Sequence, residues 1–256
     1  MKLTQIRNAT LILEFDDACI LVDPMLARQG SLPKLRYYRS NHRNPLVDLP
    51  AVFKQMQPKI NYALITHCQK GHFDHLDRAG VQWLVEKQIP TFCTPHDLPY
   101  LAKKKINTRV LGEQSCAFLS GCIEQVPATH TTGWLTPFME HGTGYCITVD
   151  TQPSIYLMGD TILTDEIRQF VTTKQPDYIV APTGKAQMDI GAPLLLSESD
   201  ILELARLSTG KIIANHMGAL DHCRIDRPDL IKLLTAHNLL SKFFIPDDGE
   251  TLLLSI

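Results

Sequence analysis

The sequence predicts an α/β protein built from two similar halves packed sheet against sheet. Two observations carry this. Short apolar runs with strand-like character alternate with helix-like stretches along the chain. In addition, one order of features occurs twice: a hairpin, an acid at the end of its second strand, a helix and a Pro-led strand. With 256 residues and an apolar fraction of 44%, the chain can bury a sizeable core. We read residues 1–256 as one domain whose halves span about 1–125 and 126–256.

Taken in order, Thr10–Glu14 and Cys19–Val22 read as strands joined by a hairpin connection at Phe15–Ala18, and the second ends in Asp23-Pro24. From Pro24 to Pro50 periodicity is lost, and Arg28, Lys34, Arg36, Arg39 and Arg43 face the single acid Asp48. A segment this long without regular structure is more often a functional cover than a connector. Tyr62–Ile65 is a strand, and Leu76–Gln88 reads as a helix with Val81, Leu84 and Val85 on one stripe. Short strands follow at Pro90–Cys93, Thr108–Leu111, Cys116–Leu119 and Ile123–Val126, the last leading to His130. The second hairpin is Tyr145–Val149 with Ser154–Met158, ending in Gly159-Asp160. A helix over Thr164–Thr172 and the Pro176-led strand then echo the first half. Ser197 to Asp200 is a Ser-x-x-Asp helix start, Lys211–Asn215 is a strand ending in His216, and Pro228 opens a helix to about His237. Phe243–Ile245 and Thr251–Leu254 close the pattern as strands.

Composition narrows the functional classes. A net charge of -2 lacks the basic excess that marks most nucleic-acid binders, so a nucleic-acid partner is not expected. No apolar run approaches the length of a membrane span. Cysteines 19, 68, 93, 116, 122, 146 and 223 are odd in number and scattered through apolar runs, as reduced thiols of a cytoplasmic protein are.

The chemistry concentrates in Ile65–Asp77, where three histidines and two aspartates fall within thirteen residues at a strand end. A turn at His72-Phe73-Asp74-His75 can aim imidazole and carboxylate at one point, and such N/O donors suit zinc, manganese or iron. A capping role for Asp74 is the plainer alternative. His130, Asp160 and His216 stand at other strand ends, and Asp23 is placed either to hold a ligating histidine from behind or to start a turn before Pro24. No Gly-x-Ser-x-Gly elbow and no phosphate-binding loop competes with a metal site.

Thr66-His67 with His72-x-Asp74-His75 resembles the metal signature of the metallo-β-lactamase superfamily, a Thr-His-x-His-x-Asp-His run, although Cys68 to Gly71 stand where the family has one residue. Either the loop bulges and His67 still ligates, or Lys70 takes its place. Gly71 supplies the backbone freedom that a bulge needs. The resemblance implies a four-layer αββα sandwich of two mixed β-sheets with helices on the outer faces. It also implies two divalent metal ions, held by His67, His72 and His130 and by Asp74, His75 and His216, with Asp160 between them. Asn44–Pro50 also resembles a subgroup related to ascorbate-phosphate lactonases.

The function so implied is hydrolysis of a lactone, ester or phosphoester by a water that two ions activate, with Asp74 and Asp160 as the catalytic carboxylates. Lys185 and His222 are candidates for substrate contact, and Arg36 and Arg39 of the basic loop are candidates for pairing with an anionic small molecule. A phosphodiesterase or nuclease on the same scaffold, or a member that binds metal or ligand without turnover, are the alternatives.

Overall fold

Neighbouring residues of the central strands pack into different cores. Leu11 and Leu13 face one apolar cluster while Ile12 faces another, and Ile20, Leu21 and Val22 alternate in the same way. This is the period of two that a strand imposes on side chains when both of its faces are covered. The computed structural model describes residues 1–38, 40–68, 72–112, 114–131 and 142–255.

In the first sheet, β1 (Lys2–Arg7), β2 (Thr10–Glu14) and β3 (Cys19–Val22) run antiparallel, and β4 (Tyr62–Leu64), β5 (Thr91–Cys93) and β6 (Thr108–Val110) extend it in parallel. The second contains β7 (Ser115–Phe118), β8 (Gly121–Ala128), β9 (Gly142–Val149) and β10 (Ile155–Leu157) in antiparallel order. It continues in parallel through β11 (Tyr178–Pro182), β12 (Lys211–Asn215) and β13 (Phe243–Phe244). Strand β14 (Thr251–Leu253) returns to pair with β1, so each sheet has seven strands. The second sheet therefore begins at Ser115, ahead of the division near residue 125 read from the sequence, and the chain's last strand belongs to the first.

Helices α1 (Ala51–Met56), α2 (Arg78–Glu86) and α3 (Leu98–Lys103) fill the crossovers of the first sheet. Helices α4 (Asp165–Lys174), α5 (Glu198–Leu207) and α6 (Arg227–Ala236) fill those of the second. Parallel strands require such crossovers. Phe53 and Met56 of α1 cover Ile12 and Leu21, and Leu84 of α2 packs with Ala63 and Cys93. On the other side, Ile167, Ile201 and Leu230 cover Tyr156, Ile179 and Ile212. Between the sheets lie Leu11, Val22 and Leu64 against Ile147, Leu157 and Val180. The layers are thus helix, sheet, sheet, helix, the αββα sandwich that the resemblance implied.

Local signals agree with these elements. Ser197 and Asp200 form a reciprocal capping box at the start of α5. Asp77, not Asp74, caps α2 by accepting from Gly80 N–H, which leaves the Asp74 carboxylate free of that task. Among the described residues no helix is long and apolar enough to cross a membrane.

Ile147 is fully buried between the sheets, whereas Leu253 is 76% exposed. Ile147→Ala should cost about 2–5 kcal/mol in urea denaturation, from lost burial and the cavity left behind. Leu253→Ala should stay within about 0.5 kcal/mol. Equal losses at the two positions would show that the inter-sheet core does not dominate stability.

Candidate metal centre

Strand direction brings the chemistry to one edge. Strands β3 and β4 are parallel, and β8 shares the direction of β10 and β12 because two antiparallel steps separate it from β10. The ends of these five strands carry Asp23, His67, His130, Asp160 and His216 in the residues that follow. Three of these ends turn sharply: Asp23, Gly159 and His216 have φ of 46°, 65° and 58°. A left-handed backbone at a non-glycine residue is strained, and such strain persists where packing holds it. At Gly159 a side chain would press on the carbonyl of Thr143, so glycine allows the chain to turn and present Asp160.

The donor atoms form two groups, one of His67, His72 and His130 and one of Asp74, His75, Asp160 and His216, and within each they lie within 4.8 Å of one another. The intervening residues 68–71 do not keep His67 from His72, since the ring centroids are 4.9 Å apart. Of those four, Cys68 is buried and faces Asp97, and residues 69–71, Lys70 included, lie outside the described residues. His67 Nε2 and His130 Nε2 are 3.0 Å apart. Burial lowers the basicity of both rings, and the neighbouring His75 lowers it further, so His67 falls well below the usual imidazole value and His130 falls to about 4. Two neutral imidazoles that point nitrogen atoms at each other suit a cation better than a proton.

The second group has the opposite balance. Asp23, Asp74 and Asp160 are 2%, 7% and 4% exposed around a fully buried His75. Burial disfavours a charged ring at His75 and at His216, but Asp160 and the other close groups outweigh it and raise both well above the ordinary value. Burial likewise opposes ionisation of Asp74 and Asp160, and the His75 and His216 rings more than offset it, holding both carboxylates far down. So much buried negative charge requires positive charge beside it. His75 Nε2 lies 3.0 Å from Asp160 Oδ2, yet among the described residues it makes no aligned hydrogen bond. Atoms that approach without facing one another suit ligands aimed at a shared third point, so the residues fit divalent cations.

Supporting groups fix these side chains from behind. Asp23 Oδ2 lies 2.8 Å from His75 Nδ1 and accepts from Thr66 Oγ1 at 2.6 Å, while its Oδ1 accepts Thr66 N–H at 2.8 Å. Thr66 Oγ1 is also 3.1 Å from His67 Nδ1. Cys223 Sγ is 3.5 Å from His216 Nδ1, whereas Asn8 Nδ2 stands on the opposite nitrogen, 3.1 Å from Nε2, the atom that also faces Asp74 and Asp160. Burial raises the Cys223 thiol, but His222 and His216 lower it more, to about 7.

The residues nominated for substrate contact are placed otherwise. Lys185 donates to Glu198 Oε1 at 2.6 Å. Arg36 Nε is 3.8 Å from Asp189 Oδ1 with its side chain 18% exposed, and Arg39 lies outside the described residues. His222 is buried, with its ring centroid 5.8 Å from that of His216. The loop that carries Arg36 is tied down at both ends of its path. The fully buried Arg7 donates to the carbonyls of Met25, Ala27 and Val47, and Asp221 accepts from Leu35 N–H, Arg36 N–H and Asn44 Nδ2. The loop therefore crosses from the first half onto the segment just after His216. Asp189, Glu198 and Asp221 carry no motif, so only the fold identifies them as partners.

Comparison with known proteins agrees with this geometry. Residues 2–215 match the family described as "Beta-lactamase superfamily domain". The crystal structure of the isothiocyanate hydrolase from Delia radicum gut bacteria is similar with a TM-score of 0.89 and 30% identity, covering 100% of this chain and 99% of that one. The UPF0173 protein YddR of Bacillus subtilis is 28% identical over 98% of this chain and 99% of its own. A UPF0173 metal-dependent hydrolase of Flavobacterium johnsoniae is 24% identical over 99% of this chain and 96% of its own.

Asp23 touches His75 and Thr66 but belongs to neither donor group. Asp23→Ala should therefore weaken zinc binding by about 10–100-fold in a chelator competition, the usual cost of losing a group that orients a ligand. Unchanged affinity would show that Asp23 serves the turn before Pro24 and nothing more.

Proposed function

We propose that this chain, which belongs to the β-lactamase superfamily, is a metal-dependent hydrolase that holds two divalent ions, zinc or manganese, with iron as a third candidate. The observation that carries this is the convergence of two donor groups drawn from both sheets. His67, His72 and His130 would hold one ion and Asp74, His75 and His216 the other, with Asp160 as a carboxylate that would serve both. When bound, the ions supply a water of lowered pKa and polarise the oxygen or sulfur of the substrate.

The chain's own groups do the rest. Asp74, in reach of both His75 and His216, would orient the attacking water. Asp23 and Thr66 hold the imidazoles in the tautomer that leaves Nε2 free. The tethered loop, residues 24–50, limits access of bulk water at the edge where the strands end. No serine or cysteine nucleophile is required.

For the substrate, the placement of the cations favours a small neutral carbon electrophile. Arg36 and Lys185 are compensated by Asp189 and Glu198, so they offer little net charge to an anion. The isothiocyanate that the 30% identical hydrolase is named for is such a group, and a lactone or simple ester presents a similar carbon. The basic loop supports a second reading, an anionic ester or phosphoester, through Arg39 and the remaining cations.

Metal analysis of the purified protein followed by a hydrolysis screen separates these readings. We expect about two ions per chain and turnover of neutral isothiocyanates or lactones in preference to phosphorylated or carboxylated esters. In Asp160→Asn, one ion and nearly all turnover should be lost while the far-UV circular dichroism is retained, because a neutral amide cannot neutralise two cations. Arg36→Ala with Arg39→Ala should then leave KM for neutral substrates near its original value. Preference for phosphodiesters would establish the second reading. A chain that retains no metal would overturn both.

A further inference from the structure

His75 and His216 occupy equivalent positions in the second donor group, yet they are held from behind by different chemistry. His75 has the Asp23 carboxylate on Nδ1. His216 has a thiol: Cys223 Sγ lies 3.5 Å from its Nδ1 and 3.3 Å from its own backbone oxygen. We propose that Cys223 is the positioning residue of the second ion's histidine, fixing the ring and its tautomer through two contacts with one residue. The inference rests on the two-ion reading above.

A neutral imidazole carries one ring proton. If Nε2 is to face Asp74 and Asp160 with its lone pair, that proton must sit on Nδ1. An acceptor beside Nδ1 selects this tautomer, and sulfur can accept there while the S–H donates to the His216 carbonyl. Together the two contacts set the ring's rotation and its height above the end of β12.

The surrounding chain holds the thiol in place. Cys223 N–H donates to Leu220 O at 3.2 Å, and Arg224 and Ile225 N–H both donate to Gly184 O, at 2.8 and 3.1 Å. Gly184 packs so closely that a side chain there would run into the His216 carbonyl and Cys223 Sγ. The turn is therefore clamped on the strand end that it serves. Sulfur holds a proton donor more weakly than a carboxylate does, so His216 depends on close packing where His75 depends on charge.

The test is stepwise zinc release to a competing chelator, with the His216 Nδ1–H resonance of the zinc-loaded protein followed by NMR. Cys223→Ala should weaken one of the two ions by about 10–100-fold and leave the other unchanged. The His216 Nδ1–H resonance should at the same time shift and exchange faster with solvent, because its sulfur acceptor is gone. Cys223→Ser, whose hydroxyl can both donate and accept, should restore most of the affinity and the resonance. Two ions as tight as in the parent protein would overturn the proposal. So would a parallel loss of both ions with a lowered Tm, which would mark Cys223 as a packing residue only. If the parent protein takes up a single ion, the two-ion reading fails, and the Nδ1–H resonance in Cys223→Ala alone decides whether the thiol positions His216.

Discussion

Three carboxylates are buried around one imidazole at the edge of this sandwich, and the rest of the site answers to them. Asp23, Asp74 and Asp160 all lie close to the fully enclosed His75 ring. Charges removed from water are tolerated only when paired and hydrogen-bonded. The protein provides this through Thr66, through the raised basicity of His75 and His216, and through a geometry that accepts cations. The tri-histidine group beside it contains no carboxylate, and its His67 and His130 rings are driven toward the neutral form, first by burial. The candidate site thus contains an acidic donor group beside a group of histidines alone.

What delivers these groups is the direction of the strands. A parallel sheet ends all its strands on one side, and both sheets here have parallel segments with antiparallel hairpins feeding them in the right sense. The joins match between the sheets: β3 through β6 correspond to β10 through β13, each crossed by a helix.

Much of this was legible in the sequence, because the signals are local. Alternation in Thr10–Glu14 and Lys211–Asn215 marked strands that the structure contains with the same bounds, and Ser197 with Asp200 marked a helix start. The donor residues were visible as histidine and aspartate at strand ends. Less legible were β1, whose Thr4 and Gln5 are polar yet buried, and the six-residue helices α1 and α3, which are too short to show a period. The surroundings of the cations were less legible for a related reason. Charge can be counted in a sequence, but the acids that compensate it, Asp189 for Arg36 and Glu198 for Lys185, are brought near only by the fold. In the sequence Cys223 is one thiol among seven, and its contact with His216 depends on a turn that no motif marks.

The seam between the sheets gains a second meaning from where the donors originate. His67, His72, Asp74 and His75 belong to the first sheet's side, and His130, Asp160 and His216 to the second's. Any ion seated there would join two layers that meet mainly through apolar contact, with a few hydrogen bonds such as Tyr145 Oη to Ile65 O. Linkage is reciprocal: whatever free energy an ion gives to the register of the sheets, the register gives back to the ion. Leu157 and Val180, apolar residues that line the same small cavity as Asp23, His75 and Asp160, would then bear on ion binding, because the spacing they enforce sets how far apart the two sets of donors stand.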